Sequence, residues 1–296
     1  MFVGIEAGGT KFNCIIAENP EDILAEKRIT TADPEYTIGE TINFIRQTAA
    51  LHHQTLQAVG IGSFGPLDLD PGSAGFGSIT SSPKTAWKNF NIKKAFEKAL
   101  ELPTILDTDV NAAAYGEFLW GAGERKNQVL YLTIGTGIGG GMVLDGKPYH
   151  GLLHPEMGHI FLADISRNDS FKGICPYHGN CFEGLASGPA LQAQWGIEAS
   201  QLDEDHPAWE QEAQYIALAL SSYICILSPE IIILGGGVMQ QFHLFPLIRK
   251  KVQELLNGYL QTEMITKKID MYIVPPGLGV KSGVLGALGL ARLAIR

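Results

Sequence analysis

Residues 3–17 read VGIEAGGTKFNCIIA, and residues 129–144 read VLYLTIGTGIGGGMVL. Each stretch predicts an apolar strand, a glycine-rich turn and a returning strand, because aliphatic and β-branched residues flank glycines that interrupt the run. Both are therefore predicted to be hairpins rather than strands that lead into a helix. Two hairpins of one design predict a chain built from two similar α/β halves.

The residues around the hairpins predict further strands and helices. Apolar periodicity indicates helices at 36–51 and 90–100, and short apolar runs indicate buried strands at 58–63 and 104–107. This alternation is typical of α/β proteins. The second half predicts helices at 188–195 and 209–227, strands at 231–234 and 271–274, and a closing helix with Ser282 as its expected N-cap.

The composition excludes several classes of protein. The chain has 296 residues, of which 45% are hydrophobic, and a formal net charge of -9, so we expect an ordered globular protein without a basic surface for nucleic acid. No apolar run is long enough for a membrane span and no leader is evident, which predicts a cytoplasmic protein. Cys14 and Cys225 lie in apolar runs and are expected in the core.

The glycine turns are candidates for phosphate binding, because backbone N–H groups can approach phosphate oxygens closely at glycine. Residues 135–140 match the Gly-x-Gly-x-x-Gly dinucleotide fingerprint, but the strand predicted after them argues against an NAD site, which needs a helix there. Either turn alone is explained as a tight turn. Together with the hydroxyl residues Thr10, Thr133 and Thr136, the two turns predict a polyphosphate site. Residues 235–240 (GGGVMQ) follow an apolar strand and are the candidate nucleoside site.

Polar residues cluster where a buried strand is predicted to meet an Ala-rich helix, in residues 106–117 (LDTDVNAAAYGE). Transfer of a phosphoryl group to a hydroxyl needs a base that accepts the hydroxyl proton, and a carboxylate at a strand end suits this role. The alternative is helix capping by Asp107 or Thr108, with the acidic residues favoured by the helix dipole. The residues alone leave both interpretations open.

Four motifs, in this order, resemble those of the ROK family, which is named for repressors, open reading frames and kinases. Residues 6–11 (EAGGTK), 107–111 (DTDVN) and 133–139 (TIGTGIG) are similar to its first phosphate loop, base motif and second phosphate loop. Residues 154–159 (HPEMGH) are similar to its sugar and metal motif. The resemblance spans the chain.

The resemblance implies the actin-like ATPase fold, also called ribonuclease H-like, in which two similar α/β domains are separated by a cleft. We expect an N-terminal domain over residues 1–115, completed by the closing helix 281–296. The C-terminal domain is then expected over residues 116–280. The family also implies a homodimer.

The resemblance further implies an ATP-dependent sugar kinase that works with Mg²⁺. Asp109 is then the catalytic base, Glu156 and His159 contact the sugar, and Asn111 and Lys84 are expected to lie beside them. The ATP site is implied at Gly8, Gly9, Thr10, Lys11, Thr133, Gly135, Thr136, Gly137, Pro189, Gly235, Gly236, Gly237, Val238, Met239 and Gln240.

Two features are similar to the fructokinase branch of the family. Residues 82–89 (SPKTAWKN) resemble that branch rather than its glucokinases, which implies fructose as substrate and fructose 6-phosphate as product. Position 6 is Glu, as in that branch, where related kinases have an Asp that helps to hold magnesium.

Cys175, His178 and Cys181 form a C-x-x-H-x-x-C pattern, and His159 precedes them. Two thiolates and two imidazoles have the number and softness that suit tetrahedral Zn²⁺. Four protein ligands leave no open position for water, which predicts a structural ion. The alternative is unligated cysteines and histidines in a loop, and His154 is an outside candidate for a ligand.

Other functions are weighed against fructose phosphorylation. A kinase for glucose, mannose or an N-acetylhexosamine has the same motifs. A sugar-responsive ROK regulator would need a helix-turn-helix domain, whereas this chain begins on the first hairpin. An actin-like structural polymer would have no use for the zinc segment or the sugar motif.

Overall fold

The computed structural model describes residues 1–82, 84–163 and 171–295. Pro83, residues 164–170 and Arg296, which belong to the predicted fructokinase-like segment, zinc loop and closing helix, lie outside the described residues. The strands are β1 Phe2–Ala7, β2 Lys11–Ala17, β3 Ile23–Thr30, β4 Ala58–Ser63, β5 Thr104–Thr108, β6 Gln128–Ile134, β7 Ile138–Leu144, β8 Lys147–Pro148, β9 Ile231–Gly235 and β10 Ile273–Val274.

Helices alternate with these strands, as the periodicity predicts. They are α1 Pro34–Leu51, α2 Ile92–Leu100, α3 Asp109–Trp120, α4 Phe182–Ala186, α5 Gly188–Trp195, α6 Pro207–Leu227, α7 Leu244–Leu256, α8 Glu263–Thr266, α9 Ile269–Tyr272 and α10 Ser282–Leu293. Within the described residues, no helix combines the length and the apolar character that crossing a membrane requires.

The two sheets repeat one strand order. The first runs β3-β2-β1-β4-β5 and the second β8-β7-β6-β9-β10. In each sheet the hairpin predicted from the glycine turn lies beside parallel strands: β1 pairs with β4 and β4 with β5 in the first, and β6 pairs with β9 and β9 with β10 in the second. The expectation of two similar α/β halves is therefore confirmed.

The chain divides into two compact units. Unit 1 contains residues 1–125, residues 141–155 and the chain from Val280 onward, and unit 2 contains residues 126–140 and 156–279. The domain boundaries expected from the sequence stay predictions.

Within unit 1, α10 packs against β1, β4 and α3. A Cβ on Gly60 would overlap the carbonyl oxygen of Ala287, and one on Gly286 would overlap that of Ala112. Glycine at these two positions therefore lets α10 approach the sheet and α3 more closely than any side chain would allow.

Two local predictions about secondary structure and capping are wrong. The strand expected at 271–274 begins only at Ile273, because the residues before it form the short helix α9; a short apolar run does not distinguish helix from strand. Ser282 does not cap α10 but is its first residue, and its Oγ donates to Glu117 Oε1 at 2.7 Å. This buried hydrogen bond joins α10 to α3.

The two cysteines assigned to the core differ in environment. Cys14 is buried in β2, as expected, whereas Cys225 is exposed. Its neighbours Tyr223 and Ile224 occupy the buried side of α6, so the helical turn places Cys225 on the other side. Its prediction as a core residue is therefore wrong.

Candidate functional site

Three parallel strands of the first sheet end at one edge. β1 is paired with β4 through Glu6 and Gly62, and β4 with β5 through Gly62 and Asp107. The first glycine turn follows β1, and α3, which begins with Asp109, follows β5. Neighbouring strands lie about 4.8 Å apart, so β1 and β5 are separated by roughly 10 Å. The turn and the carboxylate thus leave the sheet at its carboxyl edge, where α/β proteins bind ligands.

The first glycine turn is held from two directions. Gly8 N donates to Lys11 O at 2.9 Å within the turn, and Thr31 Oγ1 donates to Gly8 O at 2.8 Å from the end of β3. Thr31 N also donates to Thr10 O at 3.0 Å. A Cβ on Gly8 would stand 2.8 Å from Lys11 O, so glycine is required here for space.

Asp109 begins α3 but does not cap it. The cap is Thr108, whose Oγ1 accepts from Asn111 N at 3.1 Å, as one of the capping alternatives predicts. Asp109 is half-buried, and its Oδ1 accepts from Val110 N at 2.9 Å. The N-terminus of the helix is therefore capped by Thr108 and not by Asp109.

Asn111 is fully buried in a polar network. Its Nδ2 donates to Asp107 Oδ1 at 2.9 Å and to Tyr149 O at 3.3 Å, and its Oδ1 accepts from Met142 N at 3.1 Å. His150 Nε2 lies 3.0 Å from the Asp107 carboxylate, and this hydrogen bond raises the pKa of His150 against the opposing effect of burial. Contact between Asn111 and the sugar stays a prediction, while these bonds position β5, α3 and β7.

Glu6 lies at the end of β1, beside the first glycine turn. Asn13 Nδ2 donates to Glu6 Oε2 at 2.7 Å. Burial raises the pKa of Glu6, and the hydrogen bond from Asn13 and the charge of Lys11 act in the opposite direction. A cation beside this carboxylate would favour its ionised form.

The second glycine turn is held by a residue that the sequence analysis did not identify. Gly135 N donates to Gly137 O at 2.9 Å, and Gly188 N at the start of α5 donates to Gly135 O at 2.8 Å. Glu183, in the first turn of α4, accepts from Ile138 N through Oε2 at 2.9 Å. The turn is therefore fixed by α4 and α5 as well as by its own strands.

The predicted nucleotide residues of unit 2 meet at the carboxyl edge of the second sheet. Thr133 pairs with Gly235 across β6 and β9, so the second and third glycine clusters are neighbours. Gly236 has a φ of 94°, which only glycine adopts without strain, and a Cβ on it would overlap the backbone of Ile134. Gly237 has open space around it, as a ligand-facing position needs. Thr136 lies in the second glycine turn and Pro189 lies in α5. The 3-10 turn after Gly237 consists of Val238, Met239 and Gln240.

The four predicted zinc ligands lie together in unit 2. Their ligand atoms all fall within 4.8 Å of one another. Cys175 Sγ lies 3.8 Å from His159 Nδ1 and 3.7 Å from His178 Nδ1, and Cys181 Sγ lies 3.5 Å from His159 Nδ1. Both cysteines are buried, and burial raises the pKa of the Cys181 thiol to about 11. A metal cation beside this thiol would favour its ionised form.

Glu156 and His154 have different surroundings. Glu156 is exposed and directly precedes the 3-10 turn Met157–His159, and among the described residues it does not belong to the group of four candidate metal ligands. His154 is buried, and its Nε2 accepts from Leu67 N at 3.0 Å. His154, the outside candidate for a zinc ligand, does not belong to the group of four among the described residues, and its Nε2 is bonded to the loop after β4.

Known proteins are similar to this chain over nearly its whole length. The ROK family matches residues 2–294. The chain is 41% identical to a fructokinase of Zymomonas mobilis, over 98% of this chain and 96% of that protein, and 42% identical to a fructokinase of Lactococcus lactis, over 98% and 95%. The structure of a ROK family glucokinase from Streptomyces griseus in complex with glucose and AMPPNP superposes with a TM-score of 0.75 at 25% identity, covering 99% of both chains. The fold is accordingly the expected actin-like one, and the chain belongs to the ROK family.

Proposed function

We propose that this protein is a fructokinase, which transfers the γ-phosphoryl group of Mg·ATP to fructose and releases fructose 6-phosphate and ADP. The observation that carries the proposal is the shared sheet edge of unit 1, where the first glycine turn and Asp109 emerge roughly 10 Å apart. A phosphate-binding turn and a carboxylate base are the two parts that phosphoryl transfer to a hydroxyl requires. The fructokinases among the relatives support fructose as the acceptor.

In this reaction Asp109 accepts the proton of the sugar 6-hydroxyl while the hydroxyl oxygen bonds to the γ-phosphorus and the bond to ADP breaks. Thr108 caps α3, so the start of the helix does not depend on the Asp109 carboxylate. The second and third glycine clusters bind the nucleotide in unit 2, and Glu156 and His159 bind the sugar. Magnesium supplies neutralising charge to the phosphates when it is bound. Glu6 fits a role near the ion, because partial burial raises the pKa of its carboxyl group and a nearby cation would offset that cost.

We also assign a structural zinc ion to His159, Cys175, His178 and Cys181. Zinc bonds of about 2.3 Å to sulfur and 2.0–2.1 Å to nitrogen give a tetrahedron with sulfur–nitrogen edges of about 3.6 Å. The distances of 3.5, 3.7 and 3.8 Å between these atoms match that edge. The homodimer and the cytoplasmic location implied at the outset stay predictions.

The substrate is tested by measuring ADP release over a panel of hexoses with Mg·ATP. Fructose should give the highest kcat/KM, and a tenfold higher value for another hexose would remove the fructokinase assignment while leaving the kinase assignment in place.

The base is tested by Asp109→Asn. This variant should keep the melting temperature and the Kd for fructose but lose kcat by about 10²-fold or more, the usual scale for a general base. A kcat close to that of the wild type would show that Asp109 has only a structural role at the start of α3.

A further inference from the structure

Lys84 lies directly beside the first glycine turn. A Cβ on Gly9 would stand 3.3 Å from Lys84 Cε, so the end of the lysine side chain passes over the position where this glycine has no side chain. The ammonium is one bond beyond Cε. Its position is therefore next to a turn built to receive phosphate oxygens.

The segment that carries Lys84 is fixed to the same core as the turn. Lys84 N donates to Ser82 Oγ at 3.1 Å, and Trp87 N donates to Lys84 O at 2.9 Å. Trp87 is 1% exposed, packs against Phe12 with ring centroids 5.4 Å apart, and donates through Nε1 to Ala32 O at 2.8 Å. Phe12 follows Lys11 at the start of β2, so the contact between Trp87 and Phe12 connects the segment that carries Lys84 to the strand that follows the glycine turn.

The charge of Lys84 has no counterion in the part of the chain that the structure describes. Lys11, the other cation of this turn, acts on the carboxylate of Glu6. Lys84 is half-buried, and a half-buried lysine without a counterion among the described residues is unusual in a chain of net charge -9, where carboxylates outnumber cations. An anionic ligand would supply the missing partner.

We propose that Lys84 contacts the γ-phosphoryl group during its transfer, rather than the hydroxyl groups of the sugar. The inference rests on the kinase function proposed above and deepens it. As the sugar oxygen bonds to the phosphorus and the bond to ADP breaks, negative charge is spread over the three oxygens of the phosphoryl group. The Lys84 ammonium donates to one of these oxygens and keeps its own protons, since the sugar proton goes to Asp109. After transfer it contacts the phosphate of the product.

The test separates a contact to phosphate from a contact to sugar. Lys84→Met removes the charge, Lys84→Arg keeps it, and Lys88→Met is the matched control, because Lys88 is an exposed lysine of the same segment. For Lys84→Met we expect kcat to fall by about 10²–10³-fold, the scale for removing one donor to transition-state charge. The Kd for fructose should stay within threefold of wild type and that for fructose 6-phosphate should rise at least tenfold. Lys84→Arg should recover part of kcat, and Lys88→Met should match wild type.

Each result decides between the two roles. Equal weakening of fructose and fructose 6-phosphate by Lys84→Met would make Lys84 a sugar contact and overturn the proposal, as would a kcat within threefold of wild type. Wild-type protein that phosphorylates no hexose would instead remove the proposed function. If a hexose other than fructose gives the highest turnover, the same comparison is made with that sugar and its phosphate.

Discussion

Glu183 is expected to control ATP affinity without touching the nucleotide. Its Oε2 accepts from Ile138 N at 2.9 Å, and a Cβ on Gly137 would stand 2.7 Å from the same oxygen. The carboxylate therefore packs on the second glycine turn and fixes the N–H group that follows it. Glu183→Ala removes both the hydrogen bond and the packing, whereas Glu183→Gln removes the charge and keeps the size.

The expected loss of ATP affinity depends on the hydrogen bonds that still hold the turn after the substitution. A hydrogen bond to a charged group contributes about 1.5–3 kcal/mol, which corresponds to roughly 10- to 150-fold in an equilibrium constant. The bonds from Gly135 N to Gly137 O and from Gly188 N to Gly135 O still hold the turn in either variant. We therefore expect Glu183→Ala to weaken ATP binding by about tenfold, at the lower end of that range, and Glu183→Gln by less.

The assay is the Kd of ATP measured by calorimetry without sugar, together with the Kd of fructose and the metal content of each variant. Fructose affinity and metal content should not change. Glu204→Ala, which removes an exposed carboxylate of the same unit, is the matched control. An ATP Kd within twofold of wild type for Glu183→Ala, in protein with unchanged metal content, would refute the reasoning.

Three further predictions concern the zinc site, Glu212 and His150. Wild type and Cys225→Ser, purified without chelator, should each hold one zinc per chain and Cys181→Ser none; metal analysis that finds no zinc in wild type contradicts the site. Glu212 is buried, and neither of its carboxylate oxygens has a hydrogen-bond partner among the described residues. Burial raises the pKa of Glu212 well above its usual value, so the folded protein becomes less stable as pH rises and this carboxyl group must ionise. Glu212→Leu should therefore raise the free energy of unfolding by about 1–3 kcal/mol near pH 8 and by less near pH 4, as denaturant titrations will measure. His150 has a raised pKa through its bond to Asp107, so the stability it contributes is present at low pH and is lost as pH rises through that pKa. His150→Gln should lower stability by less than about 1 kcal/mol near pH 6 and by nothing near pH 9, and a deficit that grows with pH would contradict this assignment.

The sequence predicted those strands and helices whose ends are marked by turn residues beside apolar runs. The glycine turns interrupt apolar runs at 8–9 and 135–137, and both runs fold as hairpins. The strand Ala58–Ser63 and the helix Gly188–Trp195 have the predicted bounds, because apolar runs and turn residues mark both ends of each. The boundary at α9 and β10 was not predictable in this way, since the residues on both sides are apolar.

The residues whose hydrogen bonds fix the loops of the site could be identified only from the structure. Glu183 and Ile138 are 45 positions apart, and His154 and Leu67 are 87 apart. Nothing in the residues near Glu183 marks it as the partner of a glycine turn, because the pairing depends on how α4 packs beside β7. The sequence around Asp107 and Asp109 also did not decide between helix capping and a catalytic base. Thr108 is the cap because the backbone between β5 and α3 places its Oγ1 within hydrogen-bond distance of Asn111 N.

Two of the proposed zinc ligands, His159 and Cys181, are close in sequence to Glu156 and Glu183. His159 follows Glu156 by three residues, and its backbone N donates to Glu156 O at 3.1 Å. Cys181 precedes α4, whose second residue is Glu183, and Phe182 N donates to Ile160 O at 2.8 Å. An ion held by His159 and Cys181 would therefore order the segment with the proposed sugar carboxylate and the helix that fixes the second glycine turn. Loss of the ion should accordingly weaken the binding of both fructose and ATP.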